Sequence, residues 1–191
     1  MRLALLSDVH GNLLALDAVL ADLDTQGGTD GYMVLGDLAA IGSDPVAVLE
    51  RLANLPGVRF VQGNTDRYLV TGERPCPHVD DALADPALVP RLVEVAASFA
   101  WTQGALTPGD WLDWLAALPS ELRLRLPDGT RLLATHVAPG QDDGAGVHPA
   151  MPDNELTALL EDCGADLVCV GHTTGRSTNG WARGAWSRWV A

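Results

Sequence analysis

No lysine occurs anywhere in this sequence, and its twelve basic residues, all arginine, face 25 acidic ones for a formal net charge of -13. A field of that sign repels polyanions, and no arginine-rich stripe interrupts it, so long nucleic acid is excluded as the expected partner. A small phosphorylated molecule stays compatible, because a bound cation reverses the potential locally. Cysteine is scarce as well. Cys76, Cys163 and Cys169 form an odd set without C-x-x-C spacing, which excludes a disulfide framework and a zinc ribbon and fits a reducing cytoplasm. Long apolar runs are missing: nothing approaches the roughly 20 residues of a membrane helix, so no membrane partner is expected. The opening "MRLALLSDVHGN" meets Asp8 and His10 before it reaches signal-peptide length, and a cytoplasmic location is expected.

What is present suits one folded domain over residues 1–191, with 47% hydrophobic and 19% charged residues, a balance too apolar for disorder. The runs at 2–7, 32–36 and 58–63 read as buried strands. Between them, Leu13, Leu16, Leu20 and Leu23 recur at helical spacing up to about Gln26, and Asp44 before Pro45 reads as an N-cap opening a helix through about Ala53. Residues 66–118 look helical and irregular, with a helix start at Thr107, Pro108 and Asp110. Asp128-Gly129 is a hairpin turn between two strand-like runs. A helix from about Asp153 to Asp162 leads into a last apolar run ending at His172. Trp101, Trp111 and Trp114 are expected in the core or a pocket wall, Cys163 and Cys169 as core filler, and His78 in solvent.

Five of these strand-like runs end, in order, at "SDVHGN", "GDLAAIG", "GNTD", "ATHVAPG" and "GHTT". Open α/β sheets collect ligands at the carboxyl ends of their strands, so these tips converge on one candidate site. Its residues, Asp8, His10, Asp37, Asn64, His136 and His172, mix carboxylate with imidazole, which suits manganese, iron, zinc or nickel better than calcium or magnesium alone. Singly each has a plainer reading: a turn for Asp37, a left-handed turn for Asn64, a hydrogen-bonded structural histidine for His136 or His172.

The ordered set D-x-H, G-D, G-N, H and G-H resembles the calcineurin-like metallophosphoesterase superfamily, and its flanks resemble the small bacterial phosphodiesterase branch. The similarity runs to about Thr173. It implies an α/β sandwich of two mixed sheets flanked by helices, with some C-terminal strands missing here. It also implies two divalent cations, manganese being expected and iron, zinc or nickel the alternatives. Asp8 and His10 would hold the first, Asp37 would bridge, and Asn64, His136 and His172 would complete the second. The implied activity is hydrolysis of small phosphodiesters or phosphomonoesters by a metal-activated hydroxide, with Asp37, Asn64 and Asn12 in catalysis and Asn12, Thr65 and His148 at the substrate. Asn12 reads equally as the N-cap of the first helix.

Two positions depart from the family pattern. Thr65 stands where many members carry a histidine that assists the leaving group, and a hydroxyl is too weak an acid to replace it, so good leaving groups should be favoured. Thr174 replaces the second histidine of the last motif, which should weaken the first metal site. Residues 175–191 form an atypical Trp- and Arg-rich tail, expected either from a reading-frame shift after Thr173 or as a natural tail packing Trp181, Trp186 and Trp189 on the sheet. A truncated sheet would expose an apolar face and favour a homo-oligomer. The rival reading is a catalytically impaired binding or scaffold module on the same fold.

Overall fold

Alternation of side chains along three short parallel strands sets up the first half of the chain. β1 (Leu3–Leu6), β2 (Gly31–Val34) and β3 (Val58–Phe60) form a sheet in the order β1-β2-β3, with Ala4 opposite Tyr32 and Val34 opposite Phe60. Because successive residues point to opposite faces, Leu3, Leu5, Met33 and Leu35 turn inward to a second sheet, while Ala4, Leu6, Tyr32 and Val34 turn outward to helices. The structure is a computed structural model that describes residues 1–173.

The crossovers of the first sheet are α1 (Leu13–Thr25) and α2 (Pro45–Ala53). The Asn12 carboxamide caps α1 by accepting from Ala15 N at 3.0 Å. Asp44 precedes Pro45 as expected, but its carboxylate accepts from the neighbouring Ser43 hydroxyl at 2.5 Å and does not cap α2. Four further helices fill the middle: α3 (Asn64–Thr71), α4 (Val79–Ala84), α5 (Val89–Leu106) and α6 (Trp111–Ala116). Thr107 ends α5, its hydroxyl bonding back to Gln103 O at 2.8 Å, and also opens a 3-10 turn over Thr107–Gly109 that leads to Asp110 at the N-cap position of α6, where the helix start was expected. Trp114 stacks edge-on against Phe60 and Trp111, with centroids 4.9 and 5.4 Å apart. Trp101, by contrast, lies on the outer face of α5 and is 53% exposed, so the core expectation fails for it.

The second sheet is mixed. β4 (Glu121–Arg125) pairs antiparallel with β5 (Arg131–Thr135) through the Asp128-Gly129 turn, and β5 pairs parallel with β6 (Leu167–Cys169) after α7 (Asp153–Leu160). Gly129 adopts φ +91°, which the turn requires of it. Met33, Leu35, Val61, Leu132, Ala134 and Cys169 fill the space between the sheets, and Val137, Leu156, Leu160 and Val170 pack α7 on the far side. The result is helix, sheet, sheet, helix: the expected α/β sandwich, with the first sheet wholly parallel among the described residues. The expected loss of C-terminal strands, Thr174 and the tail 175–191 lie outside the described residues.

Candidate metal centre

Every candidate ligand follows a strand. Asp8 and His10 leave β1, Asp37 leaves β2, Asn64 comes after β3, His136 follows β5 and His172 follows β6. To turn these side chains toward one point the backbone bends into left-handed φ at Asp8 (56°), His10 (49°), Asp37 (57°) and His172 (68°). Non-glycine residues seldom adopt this region, and such strain, about 1–3 kcal/mol each, gathers at functional sites. Asn64 is not among them. It opens α3, so the left-handed turn considered for it is absent. Close approach is secured by Gly63, where a Cβ would stand 2.2 Å from Asp37 Oδ1.

The ligand atoms fall into two triads, Asp8–His10–Asp37 and Asp37–His136–His172, each with its atoms within 4.8 Å of one another. Asp37 belongs to both. Its Oδ2 lies 3.6 Å from His10 Nε2 and its Oδ1 3.4 Å from His136 Nε2. Asn64 Oδ1 sits 3.1 Å from both His136 Nε2 and His172 Nδ1. Asp8 reaches His10 Nε2 through Oδ1 at 3.9 Å, while its Oδ2 accepts from Ser7 Oγ and His172 N at 2.6 and 3.0 Å.

The donor chemistry fits divalent cations. Each imidazole has its remote nitrogen against a backbone carbonyl: His136 Nδ1 on Leu35 O at 2.5 Å, His10 Nδ1 on Ala40 O at 3.3 Å, and His172 Nε2 on Gly144 O at 2.9 Å. A carbonyl only accepts, so the contacting nitrogen carries the hydrogen and the other presents a lone pair to the centre. Lone pairs of His136 and His172 then face each other at 3.3 Å, beside the Asn64 and Asp37 oxygens. Such a cluster of acceptors calls for a cation, or in its absence a proton.

The electrostatics agree. Burial would raise the Asp37 carboxyl, but the hydrogen bond and charge of His136, the charge of His10 and the Thr65 N–H together hold it below its ordinary value. Burial likewise pulls His136 down, yet Asp37 and the Leu35 carbonyl leave it raised. Asp66, whose place in "GNTD" suits a turn carboxylate or one that orients the loop or Asn64, is wholly buried and accepts from Asp37 N, Leu38 N and Gly63 N at 2.8, 2.9 and 3.0 Å. Burial and the nearby Asp37 charge push it up to about 7, against three N–H donors that favour the carboxylate.

The remaining candidates scatter. Thr65 gives its backbone N–H to Asp37 Oδ1 at 3.0 Å, and its buried hydroxyl has no partner among the described residues. Asn12 lines a small groove with Ser7 and Asp8 and spends its oxygen on the α1 cap. A larger cleft of about 630 Å³ opens on the other side, lined by Asn64 and His172 together with Tyr68, Arg74, His78 and Asp143. His148 is not in its wall, since the loop carrying it is tied through Val147 to Thr173. His78 is exposed to solvent as expected, and it also lines this cleft. Sequence reading also missed Arg67 and Tyr68 on α3, which bind Asp143 across the cleft mouth. Burial and the Asp143 hydrogen bond push the Tyr68 phenol up to about 12.

The calcineurin-like phosphoesterase family matches residues 1–175. The symmetrical bis(5'-nucleosyl)-tetraphosphatase of Pectobacterium carotovorum subsp. carotovorum (strain PC1) is 34% identical over 93 residues, covering 45% of this chain and 33% of that protein. A second such tetraphosphatase, from Pectobacterium atrosepticum, gives the same figures; the match spans about a third of the length of these curated relatives. Among solved structures, a hypothetical protein from Pyrococcus horikoshii OT3 shares the fold at TM-score 0.74 and 19% identity, covering 99% of this chain and 75% of that one. A metallophosphoesterase from Sphaerobacter thermophilus follows at TM-score 0.63 and 26% identity, covering 90% and 60%.

Proposed function

Because the chain belongs to the calcineurin-like phosphoesterase family, we propose that it hydrolyses small phosphodiesters or phosphomonoesters at a dinuclear metal centre. The observation that carries this reading is the position of Asp37, one carboxylate common to two triads. Asp8, His10 and Asp37 would hold one cation, and Asp37, Asn64, His136 and His172 the other. Manganese is the proposed occupant, with iron, zinc or nickel as alternatives suited to the same donors. Two such cations, when bound, supply Lewis acidity that lowers the pKa of water and offsets charge on phosphoryl oxygens.

The chain's own residues supply the rest. The carbonyls of Leu35, Ala40 and Gly144 fix the imidazole tautomers, so no reorientation accompanies loading. Asn64 touches both the His172 ring and the cleft wall, which makes the 630 Å³ cleft the place for substrate. Thr65 has only a hydroxyl in its side chain, too weak an acid to protonate a leaving group, so substrates whose leaving group needs no proton are favoured. Small phosphorylated partners fit the charge of -13. No helix of the described residues is long and apolar enough to cross a membrane. A cytoplasmic setting and a homo-oligomeric state belong to the same proposal.

The test uses purified protein supplied with manganese and bis(p-nitrophenyl) phosphate, with a dinucleoside tetraphosphate as second substrate, since that is what the named relatives act on. Metal-dependent turnover that vanishes in Asp37→Ala, with close to two ions per chain by elemental analysis, is the expected result. Ion binding without turnover of either substrate would favour a second reading, a binding module on the same fold, to which the Thr65 replacement already inclines.

A further inference from the structure

His172 is gripped on both ring nitrogens by groups that trace back to one helix. On one side, Asn64, the first residue of α3, meets Nδ1 at 3.1 Å. On the other, Nε2 meets Gly144 O at 2.9 Å, in a loop with no regular structure of its own. That loop is fastened by Asp143. Its Oδ1 accepts from Gly144 N at 2.7 Å, and its Oδ2 accepts from Arg67 at 2.9 Å and from the Tyr68 hydroxyl. Arg67 and Tyr68 lie one turn beyond Asn64 on α3. Arg67 also pairs with Asp142 at 3.1 Å and with Glu73. The bonds therefore close a ring: Asn64, His172, Gly144, Asp143 and back to α3.

We infer that Arg67 and Asp143 are a positioning pair for His172: the pair clamps the Gly144 carbonyl where it must stand for the ring to present Nδ1 to the second cation. The geometry has a physical reason. A loop carrying three glycines between residues 140 and 146 has no intrinsic preference for one carbonyl direction, and a planar guanidinium with several donors can hold two neighbouring carboxylates at once, which a single hydroxyl or amide cannot. Groups that orient a ligand histidine in this manner typically control metal affinity by about 10- to 100-fold. Arg67 touches neither the cations nor the cleft's reacting end, and it acts through the loop.

The inference rests on the dinuclear reading for the metal it serves, but its first readout needs no metal. In chelated wild-type protein, long-range proton–nitrogen spectra should show His172 as a single tautomer protonated at Nε2. In Asp143→Ala, and separately in Arg67→Gln, the ring should lose that fixed tautomer. Manganese titration should then show the loading step that His172 serves, the tighter one in wild type, weakened by about 10- to 100-fold while the other step keeps its wild-type affinity. Unchanged His172 signals in both variants overturn the inference, as does an equal loss at both loading steps. Unfolding of both variants also overturns it, because the pair would then be a general structural staple. A wild-type protein that takes up no cation, yet whose His172 tautomer depends on Asp143, would fail the dinuclear reading and keep the positioning pair.

Discussion

The carboxylate of Asp66 accepts the backbone N–H of Asp37 at 2.8 Å, so the residue shared by both triads is held from behind by a group that takes no part in ligation. The same carboxylate serves Leu38 N and Gly63 N. Asp66→Ala strands three buried donors, each costing about 1–3 kcal/mol when unpaired. Urea unfolding should show a loss of at least about 3 kcal/mol, and Asp66→Asn an intermediate loss. Wild-type stability in the alanine variant would mean that water replaces the carboxylate.

Without metal, stability should fall as pH rises from 3.8 to about 7 through Asp66, and further above 6.5 through His136. The His136 ring is raised above its ordinary 6.5 by Asp37 and the Leu35 carbonyl, overcoming burial. A raised folded value gives stability that is fully present below 6.5 and is lost as pH climbs through that value. Asp66 acts in the same direction between 3.8 and about 7, where the folded state keeps its proton and the unfolded chain has lost it. Calorimetry of chelated protein should record the decline, and manganese-loaded protein should lack the His136 part of it. A melting temperature that climbs with pH in the chelated sample would contradict this.

The convergence of the candidate residues was legible because residue type alone announced it: carboxylates and imidazoles stood just past apolar runs, and the strands carried them to one edge. The conformations that aim them were not. Asp and His tolerate left-handed φ better than most residues, but nothing local marks Asp8, His10, Asp37 and His172 as the ones that adopt it. Asp66 looked like a turn residue because local sequence says nothing of burial. Arg67 and Asp143 lie 76 residues apart, and no periodicity links a half-buried helix arginine to a glycine-rich loop. Trp101 misled in the opposite direction, since an aromatic residue suggests a core that α5 buries instead through Val95, Phe99 and Leu106.

Chelation followed by manganese should change stability measurably. Loading at about 100 times the dissociation constant adds about 2.7 kcal/mol for each independent site. Thermal melts across a manganese series should therefore move upward with concentration. No movement at millimolar metal would argue against folded-state sites.

Asn12→Ala separates two roles. Loss of the cap to Ala15 N should lower stability by about 1 kcal/mol, with metal content kept. A fall in turnover beyond that expected from stability, at unchanged metal content, would assign the side chain to substrate as well.

Thr65→Val should raise stability by about 1 kcal/mol, because it removes a buried hydroxyl without a partner. Metal stoichiometry should stay at its wild-type value, since Asp37 is served by the backbone N–H of residue 65 and not by its side chain. Elemental analysis beside a denaturant curve checks both, and a loss of bound ions would show that the hydroxyl matters to the centre.

The hydrogen bond from His172 N to Asp8 joins residues 164 apart in the chain, and this separation has a consequence for biosynthesis. A growing polypeptide possesses every protein group of the first triad once Asp37 has emerged, whereas the second stays without its closing imidazole until β6 and the residues after it are made. Closing so long a loop costs entropy that local contacts do not recover. The two triads of the proposed centre would therefore be completed in sequence, and a chain released from the ribosome before residue 172 would carry the first triad alone.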